Sequence, residues 1–322
     1  YDADWRVVEN GWNAHVLGKG RGFSSAVEAI RTYYEEDPEI TDQYMQSFVV
    51  EENGRPVGTI EDGDAVVFFN FRGDRAIEIS RAFEAADFTE FDRKRVPDVF
   101  YAGMMEYDGD AHIPKNFLVE PPAFERTLGE YLCASGTTAY AISETQKFGH
   151  VTYFWNGNNT GYIDEKLEKY VEIPSDKITF DLRPWMKAAE VTDAVIDTIR
   201  GGQYKFIRLN YANGDMVGHT GEPVSIRIAV ETLDLCLGRL LKAVRNSRGV
   251  AMVTADHGNA DCMWTEKNGQ RTPMVAHTKN PVPFIIKDYS EVNRFSLKQV
   301  DSPGLSNVAA TICNLLGYRA PE

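Results

Sequence analysis

Short apolar runs alternate with amphipathic helical stretches along much of this 322-residue chain, and this alternation constrains its fold more than any other feature. Runs such as 65–71 and 139–142 are typical of buried strands. Between such runs lie helical patterns, the longest at 223–248, where aliphatic residues recur along one stripe. Alternating strands and helices favour a parallel sheet with both faces covered. The sequence therefore predicts an α/β fold.

The bounds of the predicted elements follow from the periodicity and from turn residues. The run 65–71 is almost continuously apolar, which indicates a strand buried on both faces. Predicted strands cover a hairpin at 49–60 around Asn53-Gly54, then 65–71, 99–105, 139–142, 151–155, 204–210, 250–254 and 282–287. One predicted helix begins at Trp5, and the others cover 26–36, 76–83, 184–200, 223–248 and 305–316.

A proline pair, Pro121-Pro122, follows an apolar-poor stretch and predicts a boundary between two domains, 1–120 and 121–322. Because the chain starts without methionine at Tyr1 and enters a helical pattern at once, we expect it to be a fragment of a longer protein or a mature product of cleavage.

Composition excludes several classes of function. The net charge of −14 argues against a nucleic-acid partner bound through a broad basic face. No apolar run approaches the roughly 20 residues of a membrane span, so we expect no membrane partner. The four cysteines show no CxxC spacing, which predicts free thiols in a reducing compartment, the cytoplasm.

Carboxylates and imidazoles gather beside three predicted strands. Asp256 and His257 follow the strand 250–254, Asp215 and His219 follow the strand at 204–210, and His277 precedes the strand at 282–287. A single Asp-His pair would be explained equally well by a capped turn. Five such residues in three loops instead predict a site for a divalent cation such as Mn²⁺ or Zn²⁺. Since five ligands exceed the three of an open mononuclear zinc site, we expect two ions.

Two further features suit an anionic ligand. Arg72 and Arg75 stand at the start of a predicted helix, where free N–H groups and two guanidiniums would bind carboxylate or phosphate. The alternative is a pair of surface ion pairs with Asp74 and Glu78. Lys147 lies in a loop after a strand and could meet a phosphate as a point charge, although most lysines are solvated.

Taken together, these segments resemble the cofactor-independent phosphoglycerate mutases of the alkaline phosphatase superfamily. The sequence around Gly73 and Lys147 is most similar to that of the plant and trypanosomatid branch. The matching segments are EDGD at 61–64, NFRGDRA at 70–76, ETQKFGHVTYFWNG at 144–157, NGDMVGHTG at 213–221, TADHGN at 254–259 and HTKNPVP at 277–283.

The resemblance implies an isomerase that interconverts 3-phosphoglycerate and 2-phosphoglycerate in glycolysis through a phosphoserine intermediate. It implies that Asp215, His219 and His277 hold one ion and that Asp256 and His257 help to hold a second. Mn²⁺ is the expected ion, with Mg²⁺, Co²⁺ or Zn²⁺ as alternatives. The full-length enzyme is expected to be a monomer acting on a small-molecule substrate.

The resemblance also assigns roles to the basic residues and to the two domains. Lys147 would contact the phosphoryl group as a catalytic residue, and Arg72 and Arg75 would bind the glycerate. Residues 1–120 would be the carboxyl-terminal part of a glycerate-binding domain. Residues 121–322 would be the main part of an alkaline-phosphatase-like, metal-binding domain, a parallel sheet flanked by helices.

In this family the nucleophilic serine lies in an Asn-Ser-Glu-Val-Gly-His type of segment, which the printed sequence does not contain. The chain therefore resembles the carboxyl-terminal portion of a mutase and is expected to be inactive alone. Another phosphatase or a phosphopentomutase of the same superfamily, or a catalytically empty fragment, is the alternative. The arginine pair and the Lys147 segment favour the mutase.

Overall fold

The computed structural model divides into two compact units, Tyr1–Pro122 and Ala123–Glu322. It describes residues 5–40, 42–71, 74–108, 112–120, 124–159, 161–267, 269–290 and 295–320. The proline pair that was expected at the domain boundary lies outside the described residues. Among the helices that are described, none is both long enough and apolar enough to cross a membrane.

The first unit combines helices with two small sheets. In one sheet β1 pairs in parallel with β2, and β2 pairs antiparallel with β3; in the other, β4, β5 and β6 are parallel neighbours in that order. Its elements are α1 (Trp5–His15), β1 (Arg21–Phe23), α2 (Ala26–Glu36), a 3₁₀ turn (Asp42–Tyr44), β2 (Phe48–Glu52), β3 (Arg55–Pro56), β4 (Ala65–Phe68), α3 (Asp74–Glu84), β5 (Phe100–Met105) and β6 (Phe117–Val119).

Local sequence signals explain two of these elements well. Helix α2 has the predicted bounds because the side chain of Ser25 accepts a hydrogen bond from the Glu28 amide at 3.2 Å and caps the first turn. The predicted hairpin forms at Asn53 and Gly54, whose φ angles of 53° and 72° suit a tight turn. Its second strand is shorter than expected, since β3 has only two residues.

The prediction of a strand at 65–71 buried on both faces is wrong in two respects. Strand β4 ends at Phe68, and the side chains of Phe69 and Phe71 are 79% and 70% exposed. One face of this sheet packs on α3, where Phe83 stacks on Tyr101 with ring centroids 4.8 Å apart. An apolar run reports residue type only, and here Val67, at 49% exposed, also faces solvent.

The second unit is built around a parallel sheet with β7 between β8 and β9. The remaining strands form antiparallel pairs, β10 with β13 and β11 with β12. Its elements are α4 (Leu128–Ala134), β7 (Ala139–Glu144), α5 (Thr145–Val151), β8 (Glu168–Ile173), α6 (Ala188–Gly201), β9 (Phe206–Asn210), α7 (Asn213–Gly218), α8 (Pro223–Asn246), β10 (Val250–Thr254), β11 (Trp264–Lys267), β12 (Gln270–Pro273), β13 (Phe284–Asp288) and α9 (Asn307–Leu315).

Helices cover both faces of this parallel sheet. Ile142 of β7 packs in one core cluster with Val195 of α6 and Leu240 of α8. On the opposite face the side chain of Arg208 in β9 reaches the carbonyl of Val151 at the end of α5. Every residue of β7 is buried, as a central strand with two covered faces requires. The predicted α/β class with a parallel sheet flanked by helices is confirmed.

The predicted strand at 151–155 is wrong. Val151 is the last residue of α5, and turns follow it at 152–157. The aromatic residues of this segment pack as turn side chains; Trp155 stacks on Phe206 with centroids 5.9 Å apart. Helix α6 begins at Ala188, not at Pro184. Strands β8, β11 and β12 were not predicted, because charged residues interrupt their apolar patterns.

Thr127 caps α4 in a reciprocal arrangement. Its hydroxyl accepts from the Glu130 amide at 3.3 Å, and its own amide donates to the Glu130 carboxylate at 2.6 Å. We expect Thr127→Ala to lower the free energy of unfolding by about 1 kcal/mol, measured by urea denaturation. Thr232→Ala, in the interior of α8, is the matched control and should change it by less than about 0.5 kcal/mol. Equal effects would contradict the capping role.

Candidate metal centre

Helix α7 places Asp215 where strand β9 ends. Only two residues separate β9 from this helix of six residues. The helix is anchored because Met216 and Val217 are buried against Ile226 of α8. The fully buried Asn213 side chain also donates to the Pro184 carbonyl at 2.9 Å. The position of Asp215 is therefore fixed by packing on the other side of its helix.

Asp215, His219 and His277 bring three ligand atoms together. Oδ1 of Asp215 lies 2.9 Å from Nε2 of His277 and 3.1 Å from Nε2 of His219. The two Nε2 atoms are 3.1 Å apart. In octahedral coordination, a cation about 2.1 Å from two ligands at right angles separates them by about 3.0 Å. The triangle therefore has the size that one divalent cation requires.

Surrounding groups orient these ligands. Nδ1 of His219 donates to the Val275 carbonyl at 2.6 Å, which leaves the Nε2 lone pair for a metal. The Asn259 amide donates to Oδ1 of Asp215 at 2.9 Å. Gly218 permits this approach, because a Cβ atom there would lie 2.3 Å from the Asn259 side chain. The ligands are thus hydrogen-bonded to surrounding groups that orient them, as is typical of metal sites.

Lys147 lies in the first turn of α5 and reaches the same carboxylate. Its side chain is almost fully buried, and Nζ lies 2.5 Å from Oδ2 of Asp215. Burial alone would raise the pKa of Asp215, but hydrogen bonds from His219 and Lys147 outweigh it and hold that pKa far below its usual range. The same hydrogen bond to Asp215 raises the pKa of His219.

Asp256 and His257 lie beside this triangle without joining it. The His257 ring stacks on His277 with centroids 3.7 Å apart, and its Nε2 lies 3.6 Å from Oδ2 of Asp256. The Asp256 side chain is 52% exposed. Backbone pairing ties the two loops together, since the Thr278 amide donates to the Gly258 carbonyl at 2.8 Å. Asp256 and His257 therefore form a second pair of candidate metal ligands, separate from the triangle.

His150 is a neighbour of the centre that the sequence analysis did not single out. It follows Lys147 by three residues on α5, so both occupy one face of the helix. Burial, together with the positive charge of Lys147, lowers its pKa to about 4, while Asp256 and Asp215 act in the opposite direction. The sequence predicts a loop before a strand here, and the helix that forms instead places His150 beside Lys147.

The two predicted glycerate-binding arginines belong to the first unit. Arg72 lies outside the described residues, and Arg75 lies within α3, where only the backbone is described. Their role stays a prediction.

Comparison with known proteins defines the class. The family described as the Metalloenzyme superfamily matches residues 23–320. The chain is 54% identical over its whole length to a probable 2,3-bisphosphoglycerate-independent phosphoglycerate mutase of Leptospira interrogans, of which it covers 60%. It is 46% identical over its whole length to the 2,3-bisphosphoglycerate-independent phosphoglycerate mutase of Prunus dulcis, of which it covers 68%.

A solved structure gives the same result. The crystal structure of Leishmania mexicana phosphoglycerate mutase at low cobalt concentration matches the whole of this chain and 61% of that one, with 52% identity and a TM-score of 0.94. The chain thus spans about 60% of the length of the first curated relatives that it matches.

This chain therefore belongs to the Metalloenzyme superfamily and, within it, to the family of the 2,3-bisphosphoglycerate-independent phosphoglycerate mutases. The predicted family is confirmed, including its plant and trypanosomatid members.

Replacing a member of the triangle should abolish tight metal binding. We expect Asp215→Asn and His219→Ala to weaken Mn²⁺ binding by at least about 100-fold, since even loss of an outer hydrogen-bond partner costs about 10- to 100-fold. Isothermal titration calorimetry of the metal-free chain with Mn²⁺ measures this affinity. Asp197→Asn, an exposed carboxylate on α6 that pairs with Arg200, is the matched control and should bind as the unaltered chain does. Unchanged affinity in both variants would exclude this site.

Metal affinity should rise with pH. Because the pKa of His219 is raised by Asp215, its ring keeps a proton that a metal must displace. In the metal-free chain the pair of protonated His219 and Asp215 stabilises the fold below the ordinary histidine pKa of about 6.5. This contribution is lost as the pH rises through the raised pKa of His219. Below that value we expect Mn²⁺ affinity to fall by about tenfold per pH unit for each proton displaced. Titrations between about pH 6 and about pH 8 measure it; a flat profile would contradict it.

Proposed function

We propose that the protein containing this chain is a metal-dependent phosphoglycerate mutase that interconverts 3-phosphoglycerate and 2-phosphoglycerate in glycolysis and gluconeogenesis. The observation that carries the proposal is the convergence of Lys147 with Asp215, His219 and His277 within one small volume. Family membership supports the substrate and the reaction. Both the two-ion mechanism and the phosphoserine intermediate belong to the proposal.

The triangle of Asp215, His219 and His277 would hold one divalent cation, and Asp256 and His257 would help to hold another. We propose Mn²⁺ for both, with Mg²⁺ or Zn²⁺ as alternatives. The Leishmania mexicana structure, determined at low cobalt concentration, keeps Co²⁺ as a further alternative. When bound, such ions neutralise phosphoryl oxygens and lower the pKa of an attacking hydroxyl.

Lys147 would act on the phosphoryl group in transit. Its ammonium group is buried and faces the carboxylate of the triangle, so a phosphoryl oxygen arriving there would meet a fixed positive charge. The charge needs no rearrangement at the moment of transfer, because Asp215 already holds it in place. We place the attacking serine in the part of the family proteins that this chain does not span.

The first unit would supply the glycerate site. We propose that residues 1–120 form the carboxyl-terminal part of a glycerate-binding domain, with Arg72 and Arg75 as the groups that bind the glycerate. Two guanidiniums near a helix start suit a carboxylate that must stay bound while the phosphoryl group changes position. The domain 121–322 would be the phosphatase-like domain, and the full protein a cytoplasmic monomer.

The experiment measures both products of the possible reactions in one sample. The full gene product is incubated with 3-phosphoglycerate and Mn²⁺; 2-phosphoglycerate is detected through coupling to enolase, and inorganic phosphate is assayed in parallel. The proposal expects 2-phosphoglycerate with little phosphate. Phosphate without 2-phosphoglycerate would show a phosphatase instead. The 322-residue chain assayed alone is expected to give neither product.

Lys147→Met tests the catalytic role within the full gene product. Because removing one electrostatic stabiliser of a transition state costs about 10²- to 10³-fold in kcat, we expect a loss of that size. The bound metal content should not fall, since Lys147 is not a ligand. Lys166→Met, on an exposed turn of the same unit, is the matched control and should retain full activity. A fully active Lys147→Met enzyme would remove this residue from the mechanism.

A further inference from the structure

Arg208 is a buried cation on the central sheet that the proposed chemistry does not use. Only 6% of the surface of Arg208 is exposed to solvent. Its neighbours along β9, Ile207 and Leu209, pack into the core with α6 and α8. Because side chains alternate along a strand, Arg208 faces the other side of the sheet, toward α5.

The guanidinium of Arg208 contacts the end of α5, the turn that follows it and strand β8. Nε donates to the Val151 carbonyl at 2.7 Å. The guanidinium lies 5.0 Å from the ring centre of Trp155 and 5.3 Å from that of Tyr170. Nη2 lies 3.7 Å from Oε1 of Glu168, which is also buried and compensates the charge. Among the described residues neither Nη atom has a hydrogen-bond partner, so the side chain is held by the Nε hydrogen bond, the two ring contacts and the charge of Glu168.

Helix α5 needs such an anchor. With seven residues it is too short to be stable by itself, and its last carbonyls lack partners within the helix. A cation at the carboxyl end of a helix satisfies a carbonyl and suits the dipole. Val151, which accepts this hydrogen bond, lies one turn beyond Lys147.

The strand that carries Arg208 also leads to the metal triangle. Strand β9 continues through two residues into α7, which holds Asp215. Lys147 on α5 and Asp215 on α7 form an ion pair at 2.5 Å. The two elements that must stay in register for this pair are thus joined a second time by the hydrogen bond from Arg208 to Val151.

We propose that Arg208 is a positioning residue that fixes α5 against β9 and thereby holds the Lys147 ammonium against the Asp215 carboxylate. The inference rests on the proposed metal site, which it deepens. Arg208 itself touches neither the ligands nor the place where a phosphoryl group would bind.

This role predicts an effect of unusual sign on metal binding. A positive charge beside Asp215 opposes a divalent cation at the same carboxylate. If α5 shifts when Arg208 is replaced, Lys147 withdraws and the cation binds more tightly. A general loosening of the fold would instead weaken metal binding, because the triangle of ligands would be less well formed.

A double-mutant cycle on the full gene product tests the proposal, with Mn²⁺ binding followed by the electron paramagnetic resonance of the free ion. We expect Lys147→Met to bind Mn²⁺ about tenfold more tightly. Arg208→Met should show part of this gain and add nothing in the Lys147→Met background. Additive effects, or weaker binding by Arg208→Met, would overturn the proposal.

Two further variants keep the result interpretable. Arg208→Met leaves the buried Glu168 carboxylate without a positive charge beside it, which is destabilising, so the cycle is repeated with Arg208→Met combined with Glu168→Gln. Ile207→Ala, on the same strand but facing the opposite core, is the matched control. It should destabilise the fold, and its effect on Mn²⁺ affinity should be the same with or without Lys147.

Amide hydrogen exchange separates failure of this inference from failure of the metal site. If the unaltered chain binds no Mn²⁺, the proposed metal site fails, and exchange alone decides the role of Arg208. Arg208→Met with Glu168→Gln must then accelerate exchange in Thr145–Val151 relative to Ala188–Gly201. Equal protection of both helices would overturn the positioning role.

Discussion

The Asp215 carboxylate is the group on which the rest of the second unit depends. It is largely withdrawn from water, and a buried charge of this kind is costly unless it is fully paired. Its two oxygens are shared among Lys147, His219, His277 and Asn259, which come from four different segments. Each of these segments is irregular or short, so the carboxylate is the point at which they are brought into register.

The surrounding framework allows this concentration of polar groups. The sheet and the helices α6 and α8 form an apolar core of ordinary composition, and Ile142, Val191 and Val195 are almost fully buried in it. A second cluster, around Met216, Val217 and Ile226, fixes the short helix that carries Asp215. The two apolar clusters thus stabilise the fold, and the polar groups lie beyond the carboxyl ends of the strands, where parallel sheets bind their ligands.

The sequence predicted elements whose signals are local and missed those that depend on the fold. Helix α8 and strand β10 lie within two residues of their predicted bounds, because a long apolar stripe and a short aliphatic run are unambiguous. The prediction of a strand at 151–155 is wrong because aromatic and β-branched residues favour strands, whereas here Trp155 packs against Arg208 and Phe154 against His150. Tertiary contacts of this kind leave no periodic trace in the sequence.

The site shows the same division. Residue type and position at strand ends were enough to select Asp215, His219 and His277, since only a few residue types can bind a metal. Their mutual distances depend on the loops after β9 and β10, and Asp256 could not be separated from the triangle by spacing alone. Lys147 was selected as a phosphate contact, but its ion pair with Asp215 and its proximity to His150 required the helix α5 to be known.

The charge balance of this centre links metal binding to substrate binding. The chain carries a net charge of −14, so its overall field repels a phosphate ester, and only charges within roughly a Debye length of the site can oppose that field. Without metal, the charges of Lys147 and Asp215 cancel each other. A divalent cation in the triangle converts this nearly neutral cluster into a positive one. On the proposed function, the ion would therefore be what makes an acidic protein attractive to an anionic substrate, and Lys147 would remain beside the site as a fixed positive charge.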